Sequence, residues 1–153
     1  MKREVILDII TYLFFLLFLY TGIMKLIEHF PFYSALMKSR LLYRFTPILE
    51  WMIPITELLV AVCLLIPKTR RIALFSTSFL MGIFTIYVGY TAFFMTGRER
   101  PCTCGGIIEE MSWRWHFYFN SCFTILAIVG LWLDRNRSRD LILKSEPSNF
   151  HLS

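Results

Sequence analysis

The residues best suited to chemistry stand in one short stretch, Arg98-Glu99-Arg100-Pro101-Cys102-Thr103-Cys104-Gly105-Gly106. Two cysteines with one residue between them close only a small, strained disulfide ring, and strain makes such a bond easy to reduce. So short a ring also removes little chain entropy, which suits exchange better than stapling. Arg98, Arg100 and Arg114 favour the nucleophilic thiolate, while Glu109 and Glu110 oppose it. Pro101 and the Gly105-Gly106 pair allow a tight turn and the close backbone approach of a partner. Redox exchange, a plain structural pair and a metal site are the three chemistries this pattern leaves open. A metal would recruit His116 and His29 to complete a Cys2His2 set. Cys-x-Cys is not the usual zinc spacing and His29 belongs to another segment, so no metal is expected, and His116 reads as an interfacial histidine beside Trp113 and Trp115.

A second set of polar residues lies inside apolar runs. Glu57, in Pro54-Ile55-Thr56-Glu57, is the costliest, because an unpaired carboxylate is strongly disfavoured in lipid. Lys25, Asn120 and Tyr20 are its candidate partners at similar depth, although Lys25 could instead snorkel outward. A buried layer of Lys25, Glu57 and Asn120 is therefore expected, either as a clamp between helices or as a proton or quinone site serving the cysteines. Pro54 is expected to kink its helix.

The elements that position these residues follow from the apolar runs. The chain has 153 residues, enough for one domain, and is 56% hydrophobic with 18% charged residues, against about 25% charged in soluble domains. Four runs near 5–27, 47–66, 72–96 and 113–133 reach the roughly 20 residues needed to cross a bilayer. Each must be helical, since lipid offers the backbone no hydrogen bonds. The first is too long for a signal-peptide core and no small-x-small site follows it, so it reads as an uncleaved span. Segment 67–71 is too short for anything but an antiparallel hairpin. The expected fold is all-α: an up-down-up-down four-helix transmembrane bundle over 1–133, then a polar tail over 134–153. Segment 28–46, with Leu36, Leu41, Leu42 and Phe45 interleaved with Lys38, Arg40 and Arg44, is either a short interfacial helix or an ordinary loop. Trp51, Trp113 and Trp115 form one aromatic belt and Trp132 the other.

Net charge is +5, and each basic cluster flanks an apolar run, so lipid headgroups rather than nucleic acid are its counter-charge. With the N-terminus inside, Lys2, Arg3, Lys68, Arg70, Arg71, Arg135, Arg137, Arg139 and Lys144 are cytoplasmic, leaving the loop of Cys102 and Cys104 on the periplasmic side of a bacterial inner membrane. The bias lies in density, because 67–71 and 135–139 are the most basic connections. Both termini are thus expected to be cytoplasmic. Cys63 then lies near the inner face and Cys122 about 13 Å down the fourth span. A disulfide needs Cα atoms within about 7 Å, which leaves Cys102 with Cys104 as the natural pairing.

Tyr20-Thr21-Gly22-Ile23-Met24-Lys25-Leu26 resembles the Gly-x-x-Lys signature of DoxX-like proteins, and Pro54-Ile55-Thr56-Glu57-Leu58-Leu59 resembles their second helix. Cys102-Thr103-Cys104-Gly105-Gly106, followed by Trp113 and Asn120, is similar to the methylamine-utilisation MauE branch, except that the branch more often has a larger residue where Gly105 stands. The resemblance covers about residues 5–133. It implies a four-span membrane protein associated with maturation of the disulfide-rich small subunit of methylamine dehydrogenase, working beside a periplasmic thioredoxin-like or cysteine-rich partner. By the same analogy Cys102 and Cys104 are the redox pair. No residue pattern requires a cofactor, and quinone is the candidate terminus for the electrons. A non-catalytic assembly factor or anchor, and a subunit of a quinone-linked oxidoreductase, are the competing expectations.

Overall fold

The computed structural model describes residues 2–39, 42–95 and 113–145. They form α1 (Lys2–Ile27), α2 (His29–Lys38), a 3-10 turn at Tyr43–Phe45, α3 (Thr46–Leu65), α4 (Arg70–Phe94) and α5 (Trp113–Ser145), with no strand among the described residues. Four of these helices are long and apolar enough to cross a membrane: Arg3–Ile27, Tyr43–Leu65 (with the 3-10 turn), Arg70–Phe94 and Arg114–Arg137.

The long helices form a closed ring in which α1 packs on α3, α3 on α4, α4 on α5, and α5 back on α1. The seams between α1 and α3 and between α4 and α5 are extensive, whereas α3 and α4, although joined by a short turn, touch over a smaller area. Leu7, Ile10, Phe14 and Phe18 recur at helical spacing on α1 and meet Val60, Ala61 and Leu64 of α3, Ala73, Leu74 and Met81 of α4, and Ala127 of α5. The opposite faces are equally apolar: Ile9, Leu16, Ile48, Phe79, Ile86 and Ile125 are all exposed. Helices that are hydrophobic all round are the mark of a bilayer solvent.

Ends and turns are set by local chemistry. The hydroxyl of Thr69 donates toward the carbonyl oxygen of Cys63 (2.8 Å), an acceptor near the end of α3, and toward that of Ile66 (3.2 Å), which also accepts the Thr69 backbone N–H. Pro47 sits in the first turn of α3, where a missing N–H costs nothing. Pro54 lies inside α3, which continues past it to Leu65. Segment 28–46 contains the short helix, with Phe32 and Leu36 buried against the bundle.

Ion pairs gather where α1 begins and α5 ends. Arg70 Nη1 lies 2.8 Å from Asp8 and its Nε 3.7 Å from Asp134, while Arg137 Nε lies 3.6 Å from Glu4. These contacts bring the first turns of α1 and the last membrane turn of α5 to the same end of the bundle. They also bear on the polar tail: α5 runs on as helix to Ser145. Asp134 and Arg137 fix the first polar turn to α1 and α4, so the helix is already nucleated when it leaves the bundle.

Candidate functional site

Cys102 and Cys104, with Pro101, Gly105 and Gly106, lie outside the described residues. The helices on either side are described: α4 ends at Phe94, and α5 begins at Trp113. At this same end of the bundle lie the end of α1, the short α2 and the beginning of α3.

The polar layer is built from two helical spacings. Gly22 and Lys25 are three residues apart on one face of α1, and Pro54 and Glu57 are three apart on one face of α3. At Gly22 α1 packs tightly on α3, since a β-carbon there would stand 3.0 Å from Leu58 Cγ and 3.4 Å from the Pro54 carbonyl oxygen. Side chains lean toward the N-terminus of their own helix, so in this antiparallel pair Lys25 and Glu57 lean toward each other. Lys25 Nζ donates to both carboxylate oxygens of Glu57, at 2.6 and 2.8 Å. The Thr21 hydroxyl donates to Glu57 Oε2 at 3.3 Å. Lys25 is 5% exposed and Glu57 2%, so the lysine does not snorkel. The ammonium also lies 5.4 Å from the ring of Phe84 and 5.9 Å from that of Phe32, each within cation–π range.

Asn120 is near the pair without joining it. Its side-chain amide donates to the His116 carbonyl of its own helix at 2.9 Å. A small cavity of about 60 Å³ nevertheless connects Thr21, Lys25, Glu57, His116 and Asn120. Tyr20 is half-buried, and among the described residues the hydrogen-bond partners of Glu57 are Lys25 and Thr21. His116 is buried on the inner face of α5, although its tryptophan neighbours suggested an interfacial position. Its spacing of four from Asn120 puts both on one face of α5, which is the signal that could have placed it. His29 faces Glu50, with Nε2 3.4 Å from the carboxylate, and its ring lies 4.9 Å from that of Trp51, tilted by 36°. Trp51, Trp115 and Trp132 all point outward.

The layer lies roughly 5–10 Å along α5 from the end that receives the cysteine-bearing segment, at 1.5 Å per residue to His116 and Asn120. Close packing holds that end of α5 on α4: a β-carbon at Gly89 would stand 2.9 Å from the ring of Phe117. Below it, the hydroxyls of Thr85 and Thr124 meet at 2.7 Å, a second polar link that apolar patterning does not reveal. Of the other cysteines, Cys63 is half-buried near the end of α3, and Cys122 points outward from α5.

The model of the family described as methylamine utilisation protein MauE matches residues 3–133. The chain belongs to the MauE family. The matched stretch takes in all but the last residues of the fourth candidate span, the Lys25–Glu57 pair, and the Cys102–Cys104 motif between α4 and α5. No curated protein and no solved structure matches the chain. The MauE match ends at Leu133, one residue before Asp134, so the polar continuation of α5 lies beyond the matched residues.

Proposed function

We propose that this MauE-family protein is a thiol–disulfide exchange component of the bacterial inner membrane, with Cys102 and Cys104 as its couple on the periplasmic side. The observation that carries the reading is the Cys-x-Cys-Gly-Gly motif between two membrane helices, within the region shared with the family. In the exchange, the thiolate of one cysteine attacks a disulfide of a thioredoxin-like or cysteine-rich partner. One partner sulfur leaves as thiolate and a mixed disulfide forms. The second cysteine then attacks its neighbour's sulfur, closing the Cys102–Cys104 bond and releasing the partner as a dithiol. The same steps run backward when the pair is the oxidant. Maturation of a disulfide-rich secreted subunit, of the methylamine dehydrogenase kind, is the task that fits such a couple.

Single substitutions test this directly. Cys104→Ala or Cys102→Ala leaves one attacking sulfur without its resolving partner, so one of the two variants accumulates a covalent partner adduct that reductant releases. If neither captures a partner under mild oxidation, the exchange reading fails. A non-catalytic anchor would instead keep its complex and phenotype with both cysteines replaced by serine.

A further inference from the structure

A cavity of about 470 Å³ opens where α3 and α4 meet over their smaller area, with α2 across one end. That volume falls within the roughly 300–1,000 Å³ of small-molecule sites. Met52, Phe75, Phe79 and Ile83 line it and are themselves exposed on the outer face of the bundle, so the mouth faces the hydrocarbon. A molecule dissolved in the bilayer can reach it without crossing water.

The walls are almost wholly apolar, and polarity is confined to a few groups. Lys25 and Glu57 stand at the inner end. An ammonium has three N–H donors, and among the described residues Lys25 donates only to the two oxygens of Glu57. A buried donor left over costs about 1–3 kcal/mol, so the site favours an acceptor. Ser76 also lines the cavity, and its hydroxyl has no hydrogen-bond partner among the described residues. Thr56 is already engaged, donating to the Met52 carbonyl of its own helix at 2.6 Å.

These features select a head chemistry. The ion pair is neutral as a unit, so a phosphate or carboxylate head would add an uncompensated charge in a low-dielectric site. A glyceride hydroxyl would bring a further donor and would have to compete for the Glu57 oxygens, which already accept from Lys25 and Thr21. A flat head that accepts without donating, on a long apolar tail, meets both conditions, and the rings of Phe84 and Phe32 flank the ammonium where that head would lie. We infer that the groove between α3 and α4 is a binding site for a lipid quinone, with one carbonyl accepting from Lys25 and Ser76 available to the other. This is a binding assignment, independent of whether Cys102 and Cys104 exchange.

The full-length protein in lipid nanodiscs, labelled with a photoreactive decyl-tailed benzoquinone, tests it by mass spectrometry of the labelled peptides. Label is expected on the cavity walls of α3 and α4, displaced by excess decyl-benzoquinone but not by decane or a monoacylglycerol. Ser76→Phe, which fills the cavity and leaves the ion pair intact, is expected to weaken displacement at least about tenfold. So is the paired change Lys25→Met with Glu57→Leu. If the paired variant does not fold, Ser76→Phe alone carries the test, with thermal unfolding as its fold control. Label spread over all lipid-facing helices, equal displacement by decane or the monoacylglycerol, or undiminished binding in a folded Ser76→Phe variant overturns the assignment. A cysteine-free variant that binds normally leaves it standing even if the exchange reading has failed.

Discussion

At the scale of residues, the decisive object is the Lys25–Glu57 pair, because each charge makes the other tolerable. Both are buried and joined by two short hydrogen bonds. Removing one partner strands the other in a low-dielectric interior, a cost of about 3–5 kcal/mol, whereas replacing both with apolar groups of similar volume is often nearly neutral. Lys25→Met and Glu57→Leu should therefore each lower thermal stability in detergent sharply, and the double variant should recover most of the loss. Additive losses in the double variant would show that the pair is not energetically coupled. The carboxylate's need for a partner was legible in the sequence, since any glutamate inside an apolar run raises it. Whether Lys25 would turn inward was not legible, because a lysine near a helix end can always snorkel. Its direction depends on how closely α1 approaches α3. Asn120 shows the same limit: it shares the cavity but spends its amide on its own helix.

At the scale of elements, that approach rests on Gly22. An alanine β-carbon there would press on Leu58 at 3.0 Å, and overpacking of this kind costs about 1–3 kcal/mol. Gly22→Leu should go further, separating α1 from α3 and breaking the ion pair behind it. Gly82 of α4 is the matched control, with nothing within 4 Å of an added β-carbon. Gly82→Ala should be neutral or should stabilise by up to about 1 kcal/mol, since alanine is the better helix former. Melting temperatures of the three variants in one detergent check the ordering, and a Gly22→Ala protein as stable as Gly82→Ala would remove the role given to close approach. The four long helices could be read from length and hydropathy because lipid forces that solution on such runs. The short α2 could not be separated from a loop: its helix depends on burying Phe32 and Leu36 against α3 and α1, which is tertiary information. The helical continuation of α5 through its polar residues likewise depends on ion pairs to Glu4 and Arg70, residues more than 60 positions away.

At the scale of the whole molecule, the chemistry depends on which side of the membrane each end faces. One end carries the ion-paired beginnings and ends of α1, α4 and α5, together with exposed Lys68, Arg71 and Arg135. The other receives the segment with Cys102 and Cys104. Arg70 and Arg137 are paired with acids, but orientation follows lysine and arginine density near span ends rather than net charge, so their pairing does not weaken the bias. The basic end is therefore expected in the cytoplasm and the cysteine couple in an oxidising space, where a labile disulfide can persist. A variant with Cys63 and Cys122 replaced by serine isolates the couple for labelling. In cells with an intact inner membrane, an impermeant maleimide should then label Cys102 and Cys104 after mild reduction. A cysteine placed at position 68 by Lys68→Cys, with Cys102 and Cys104 also removed, should react only after permeabilisation. The opposite pattern would invert the bundle. It would also put the couple in a reducing compartment, where the proposed exchange with a secreted partner has no route, although a quinone entering the groove from the bilayer would be unaffected.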